Sequence, residues 1–421
     1  MNAVTRLRFV AGKLGSGHFA VADQLAMVGG NFLMNLILAR SGHLDAFGSF
    51  SVLYALLVLV NAGQSALIGE PLALSRELDG SARVVALDGQ RASLQIFLPV
   101  SVLLALHAFV TMPELSVTHA LLFVAGCSTC SSYWSSKGRL HALGKHQQAF
   151  NASAAGSVVM LVATLVGVRI FDAITVGLLA ILMSSICGLV VALSTDLERQ
   201  RHPRLSLKGV VDLGKAGLPI ALLVWVANNV IFLMLAQEQR LADAAGLRGM
   251  LTLLLPVNQV MLGCSAFVLP KLAALARTGD RRRINTFSRH ALVVSVTAAL
   301  AFGVVAYLGA GFASRLLLGP QFDPYIGSLR LVAITLPASW ACVTVIRVHF
   351  QGSRRPRFVL YGYACALAVG VPVAWWILNT KGASAAAVAT LFIHGLLATC
   401  LMALFFLDVK AKDEHSAALE D

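Results

Sequence analysis

Charge is scarce in this chain. Asp, Glu, Lys and Arg make up 13% of its 421 residues against 57% hydrophobic ones, and the mean hydropathy is +0.78. Soluble domains carry about a quarter of their residues charged, so the deficit excludes folding around a single aqueous core and makes lipid the solvent. Cysteine offers no disulfide framework, because Cys127, Cys130, Cys187, Cys264, Cys342, Cys365 and Cys400 all fall within predicted helices. Cys127 and Cys130 form a C-x-x-C in mid-helix with no second pair and no spaced His, so they read as small packing residues rather than metal or redox ligands. No small-residue cleavage pattern follows the first apolar run, which therefore reads as a retained anchor helix. Carboxylate clusters and large external loops, which a membrane-embedded polymerase or glycosyltransferase needs to position its substrates, are lacking too.

Apolar runs long enough to cross a bilayer, roughly 20 residues each, fill the chain instead. They lie near 19–40, 49–70, 93–112, 119–136, 149–169, 174–194, 217–237, 247–270, 290–312, 326–350, 358–378 and 383–407. An all-α protein of about twelve transmembrane helices is expected. Alternate connections are basic: 25 Lys or Arg fall on the side of the two termini, seven on the opposite side, and Arg347 lies within the tenth crossing. By the positive-inside rule both termini are cytoplasmic. That placement assigns the net charge of +13 to topology and to anionic lipid headgroups rather than to nucleic acid.

A weak internal repeat divides the chain. Asn31-Phe32 of the first crossing matches Asn229-Val230-Ile231-Phe232 of the seventh, and Glu70-Pro71-Leu72-Ala73 after the second matches Leu269-Pro270-Lys271-Leu272-Ala273 after the eighth, both offset by about 198 residues. Six crossings per half is an even number, so the halves are expected to run parallel, a transporter design. The expected organisation is an N-terminal lobe over 1–194, a basic cytoplasmic linker over 195–216, a C-terminal lobe over 217–407 and a tail over 408–421. The linker reads equally as a hinge or as a topogenic loop.

Polar side chains at mid-membrane depth face a bundle interior or a water-filled cavity. The centres of the first, second, seventh and eighth crossings carry Asn31 and Asn35, Asn61 and Gln64, Asn228 and Asn229, and Asn258 and Gln259. Neutral amides of this kind suit a hydroxyl-rich cargo; they serve equally as glue between helices, at about 1 kcal/mol each. Asp23 and Glu70 are the acids nearest the bilayer and are candidate coupling carboxylates, alternatively interfacial groups: Asp23 in the first turn of its crossing, Glu70 beside Pro71, with Arg76 as a partner. Arg347, Arg40, Arg248, Arg330 and Lys215 are candidate phosphate contacts, alternatively side chains snorkelling to the headgroups. The Ser-rich stretch Ser128 to Ser136 either lines the cavity or allows tight packing, and His107 and His394 read as interior side chains. No catalytic residue, cofactor or metal site is indicated.

Asp23-Gln24, Asn31-Phe32, Ala39-Arg40, Phe47-Gly48-Ser49-Phe50 and Glu70-Pro71 resemble the opening of Wzx-like polysaccharide-export proteins, a branch of the multidrug/oligosaccharidyl-lipid/polysaccharide exporter superfamily. The resemblance implies a multi-pass flippase of the bacterial inner membrane. Its cargo would be an undecaprenyl-pyrophosphate-linked oligosaccharide, moved by alternating access through a cleft lined by helices one, two, seven and eight. It also implies polysaccharide polymerases and glycosyltransferases of the same pathway as partners. Twelve helices, with Asp23 and Gln24 where lipid II flippases carry cations, disfavour a peptidoglycan precursor. The alternatives are a cation-coupled multidrug exporter of the same superfamily and a membrane-embedded polymerase or glycosyltransferase.

Overall fold

The computed structural model describes residues 3–41, 43–69, 82–194, 215, 217–278, 281–353, 355–379 and 384–417. Twelve α-helices occur among them: α1 (Ala3–Arg40), α2 (Leu44–Gln64, continued by a π-helical turn Ser65–Gly69), α3 (Ala82–Thr111), α4 (Val117–Ala142), α5 (His146–Gly167), α6 (Ala173–Ser194), α7 (Leu218–Gln237), α8 (Leu241–Thr278), α9 (Arg281–Ala313), α10 (Ile326–Gly352), α11 (Pro356–Asn379) and α12 (Ala385–Ala417). The helix count agrees with the expectation from hydropathy, and ten of the twelve are long and apolar enough to cross a membrane. Of the other two, α4 is a helix whose apolar run is diluted by serines.

The helices group into two compact units, Met1–Leu222 and Leu223–Asp421. In the first, α5 packs against α1 and α6, and α4 against α3 and α6, while α2 rests on α4 and α6. In the second, α10 is central and packs on α8, α9 and α12, with α11 on α12.

Aromatic side chains seated on glycines hold these contacts. Gly177 on α6 lies directly under the Phe50 ring and Gly188 under the Tyr133 ring, so a Cβ at either would collide with it. In the second unit Tyr325 and Phe322, in a short 3-10 turn before α10, cover Gly246 and Gly249 of α8 in the same way. With lipid replacing water there is no hydrophobic drive between helices, and close packing of this kind is what holds them. Polar staples close the ends. The Asp172 carboxylate caps α6 by accepting from the Ile174 and Thr175 amides at 2.9 and 3.0 Å and from the Thr175 hydroxyl at 2.8 Å. Burial raises the Asp172 pKa, but the Thr175 and Ile174 hydrogen bonds and the nearby His119 outweigh it and hold the carboxyl below its ordinary value.

Candidate functional site

The eight midplane amides divide by what their hydrogens do. Asn31, Asn35, Asn228 and Asn229 each donate Nδ2–H to the carbonyl four residues back in their own helix: Met27 at 3.1 Å, Asn31 at 2.7 Å, Val224 at 2.7 Å and Trp225 at 3.1 Å. Gln64 reaches another helix, donating to the Ser135 hydroxyl on α4 at 3.1 Å. Asn35, Gln64 and Asn229 are buried, Asn31, Asn61, Asn258 and Gln259 half-buried, and Asn228 exposed. An amide that has committed its N–H to its own backbone still offers a carbonyl oxygen. Those of Asn35 and Gln259 are buried with no hydrogen-bond partner among the described residues, which marks them as acceptors facing polar hydrogen from elsewhere.

The candidate cations lie in varied settings. Arg40 and Lys215 are exposed, Arg248 stacks 4.6 Å from the Phe232 ring centre and Arg330 lies 5.8 Å from that of Tyr307. Arg347 is half-buried, five residues before the end of α10, and its Nε has no hydrogen-bond partner among the described residues. Glu70, Arg76 and residues 195–214 of the linker lie outside the described residues. Three serines of α4 bond within their own helix: Ser128, Ser132 and Ser136 donate to the carbonyls of Val124, Ser128 and Ser132 at 2.8, 3.0 and 2.9 Å, while the Ser131 hydroxyl is buried with no hydrogen-bond partner among the described residues.

Asp23 requires a correction. It does not sit in a first helical turn: α1 begins at Ala3, so the amide dipole that would favour its charge lies some five turns away and is too distant to act. Side chains compensate instead. Asp23 Oδ2 lies 3.0 Å from the Lys137 ammonium and 2.9 Å from His141 Nε2, both on α4. The side chains of Asp23 and Lys137 are only 3% and 7% exposed. Lys137 also donates to the Ser153 hydroxyl on α5 at 3.1 Å, and that hydroxyl meets the Tyr133 hydroxyl at 2.7 Å. Met27 Sδ at 3.5 Å and the Trp134 ring at 5.5 Å complete the surroundings of the ammonium. Hydropathy ends the fourth crossing at residue 136 and puts Lys137 in a connection, whereas α4 runs on to Ala142. The sequence signal that reveals it is the spacing of Tyr133, Lys137 and His141, each four residues from the next and so on one helical face.

The second unit holds a different group. Asp408 on α12 accepts from Arg355 at 2.6 Å and lies 3.8 Å from His349 Nε2, while His349 Nδ1 meets the Ser288 hydroxyl at 2.8 Å. A Ser, a His and an Asp in a row suggest a hydrolase triad, but Ser288 is fully buried and its acid is committed to Arg355. A nucleophile needs a reachable oxygen, so the row is a packing network between α9, α10 and α12. No group of three His, Cys, Asp or Glu side chains able to hold a metal occurs among the described residues.

No protein-family model matches the sequence, and no curated protein does either. Solved structures do. A multidrug resistance MATE family transporter of the MOP superfamily, in an inward-facing conformation, aligns with a TM-score of 0.74 at 15% identity, covering 94% of this chain and 99% of that one. The lipid II flippase MurJ, in an inward closed conformation, aligns at 0.72 and 11% identity over 93% and 87% of the two chains. A Vibrio cholerae MATE transporter aligns at 0.65 and 14% identity over 95% and 97%. The chain has the fold of these multi-pass membrane proteins.

Proposed function

We propose that this protein is a bacterial inner-membrane flippase that carries a lipid-linked oligosaccharide, built on undecaprenyl pyrophosphate, across the bilayer by alternating access. Its termini are cytoplasmic, its halves are six-helix lobes, and it works beside the glycosyltransferases and polymerase of a polysaccharide pathway. The fold likeness to proteins described as multidrug transporters and a lipid II flippase supports transport rather than catalysis. One observation carries the choice of cargo. The buried acids among the described residues, Asp23 and Asp408, both have a cation in contact, while the amide oxygens of Asn35 and Gln259 have no hydrogen-bond partner among those residues. An organic cation needs an uncompensated acid, whereas a sugar needs neutral acceptors for its hydroxyls. Weak, numerous hydrogen bonds also suit a carrier that must let go of what it binds. The half-buried Arg347 is the cation we assign to the pyrophosphate, since guanidinium grips phosphate in a bidentate manner.

The test is replacement of Asn31 and Asn229 together by Leu, with delivery of lipid-linked sugar to the outer leaflet as readout. A tenfold or greater loss at normal protein level is expected. Undiminished delivery would remove the cargo assignment. Extrusion of organic cations that Asp23→Asn abolishes would favour the multidrug reading instead, and accumulation of exported but unpolymerised sugar in a deletion strain would favour an enzyme.

A further inference from the structure

The Asp23 carboxylate does not end the chain of contacts. His141, whose Nε2 touches Asp23 Oδ2 at 2.9 Å, presents its other ring nitrogen, Nδ1, to Nδ1 of His146 at 3.0 Å. The two rings lie with centroids 5.3 Å apart. His146 opens α5 at the α4–α5 connection and is half-buried, His141 is 29% exposed, and Asp23 is only 3% exposed. A continuous line of hydrogen-bonding atoms thus leads from two partly exposed histidines at the connection to a buried carboxylate inside the apolar span Val21–Arg40. Its second oxygen, Oδ1, is buried with no hydrogen-bond partner among the described residues. Two nitrogens 3.0 Å apart share one hydrogen, so the pair has a fixed donor and acceptor at any moment. Such an arrangement is costly to build by chance at a helix turn, and histidine is the side chain whose unperturbed titration falls nearest neutrality.

We propose that His146 and His141 form a two-step proton relay that loads and unloads Asp23 from the side of the α4–α5 connection. In the resting arrangement His146 Nδ1–H donates to His141 Nδ1, and His141 Nε2–H donates to Asp23 Oδ2. A proton taken up at His146 Nε2 makes that ring cationic. Its Nδ1 proton then passes to His141 Nδ1, and the Nε2 proton of His141 passes to Asp23 Oδ2. One proton has entered, the carboxylate is neutral, and each imidazole is again neutral with its hydrogen on the opposite nitrogen; release of the proton by the same steps in reverse restores the starting tautomers. Protonated Asp23 no longer balances Lys137, which keeps the Ser153 hydroxyl as partner, so the α1–α4 contact weakens as the proton arrives. The titratable groups facing this site are Cys130, Tyr133, Lys137 and His141 from α4, His146 from α5 and Cys187 from α6. Use of the relay to drive transport rests on the function proposed above; its existence does not.

The experiment uses the full-length protein in liposomes, subjected to a rapid acid jump and followed by the infrared carbonyl stretch of protonated carboxyl groups. A component of that band should rise in the wild type and be missing from Asp23→Asn, which keeps the side-chain volume. His146→Ala should slow the rise at least tenfold without changing its final amplitude, and added imidazole should restore the rate, which no structural role of His146 would allow. His141→Gln, which can still hydrogen-bond Asp23 but cannot pass a proton, should slow it equally. A rise at the wild-type rate in His146→Ala, or a band indifferent to Asp23→Asn in a protein that still melts cooperatively, would overturn the relay. A separate arm measures sugar-lipid transport with and without a pH gradient. Gradient-independent transport with the infrared kinetics intact would refute the coupling, while absence of sugar-lipid transport with those kinetics intact would refute the function proposed above and leave the relay standing.

Discussion

The two units solve the same problem of placing cations in a helix bundle and arrive at opposite answers. In α4 the cation five residues from the helix end is Lys137, and it is held by Asp23 of α1. At the same distance from the end of α10 stands Arg347, whose Nε has no hydrogen-bond partner among the described residues. The residue of α7 that stands at the repeat offset of about 198 from Asp23 is Ala221, which carries no charge. The acid of the second unit comes instead from the far end of α12, where Asp408 binds Arg355, a side chain 33% exposed. A compensated ammonium can switch when its partner is protonated. A guanidinium N–H with no partner is free to meet an anion. Under the two proposals made above, the proton belongs to the first unit and the phosphate to the second.

The sharpest way to break this contrast is to unpair each unit in turn. Asp23→Leu strands the Lys137 ammonium in an interior site and is expected to cost about 3–5 kcal/mol, read as a large fall in the detergent melting midpoint. Replacing both partners, Asp23→Leu with Lys137→Met, should recover most of that loss, because an apolar pair of similar volume is no worse than a buried ion pair. A double mutant as unstable as the single one would show that the pair does more than cancel charge. Asp408→Asn should cost less, about 1 kcal/mol, since Arg355 can turn to water. Arg347→Leu should leave the midpoint nearly unchanged and reduce sugar-lipid transport at least tenfold; unimpaired transport would dismiss the phosphate assignment. The smallest effect belongs to the cap of α6. Asp172→Ala should cost about 0.5–2 kcal/mol. Because the folded carboxyl is held below its ordinary value, its contribution is full at neutral pH and disappears as pH falls through that lowered value. A wild-type advantage over Asp172→Ala that persists in strong acid would contradict the cap.

Much of this architecture is legible in the amino-acid order because lipid imposes one simple demand, an apolar run per crossing. The helix that falls short of that demand, α4, remains recognisable from the spacing of its neighbours. The end of α4 does not, since hydropathy averages Lys137 into the turn that follows, although its backbone is helical to Ala142. Asp23 is misplaced for the matching reason: α1 continues as helix far ahead of its apolar part. Position within the apolar runs singles out the eight amides but does not give the partner each chooses. Asn35 bonds its own helix and Gln64 its neighbour, and nothing in residue type separates those outcomes.

The aromatic rings seated on Gly177, Gly188, Gly246 and Gly249 have a consequence for how such chains diverge. If a handful of knob-and-glycine pairs sets the spacing of the helices, the many lipid-facing positions are free to exchange one apolar residue for another. Shape can then outlast a wholesale change of residues. Chains sharing 11–16% of their residues with this one superimpose along almost its whole length, as a shape set by a few close contacts rather than by overall residue identity would allow.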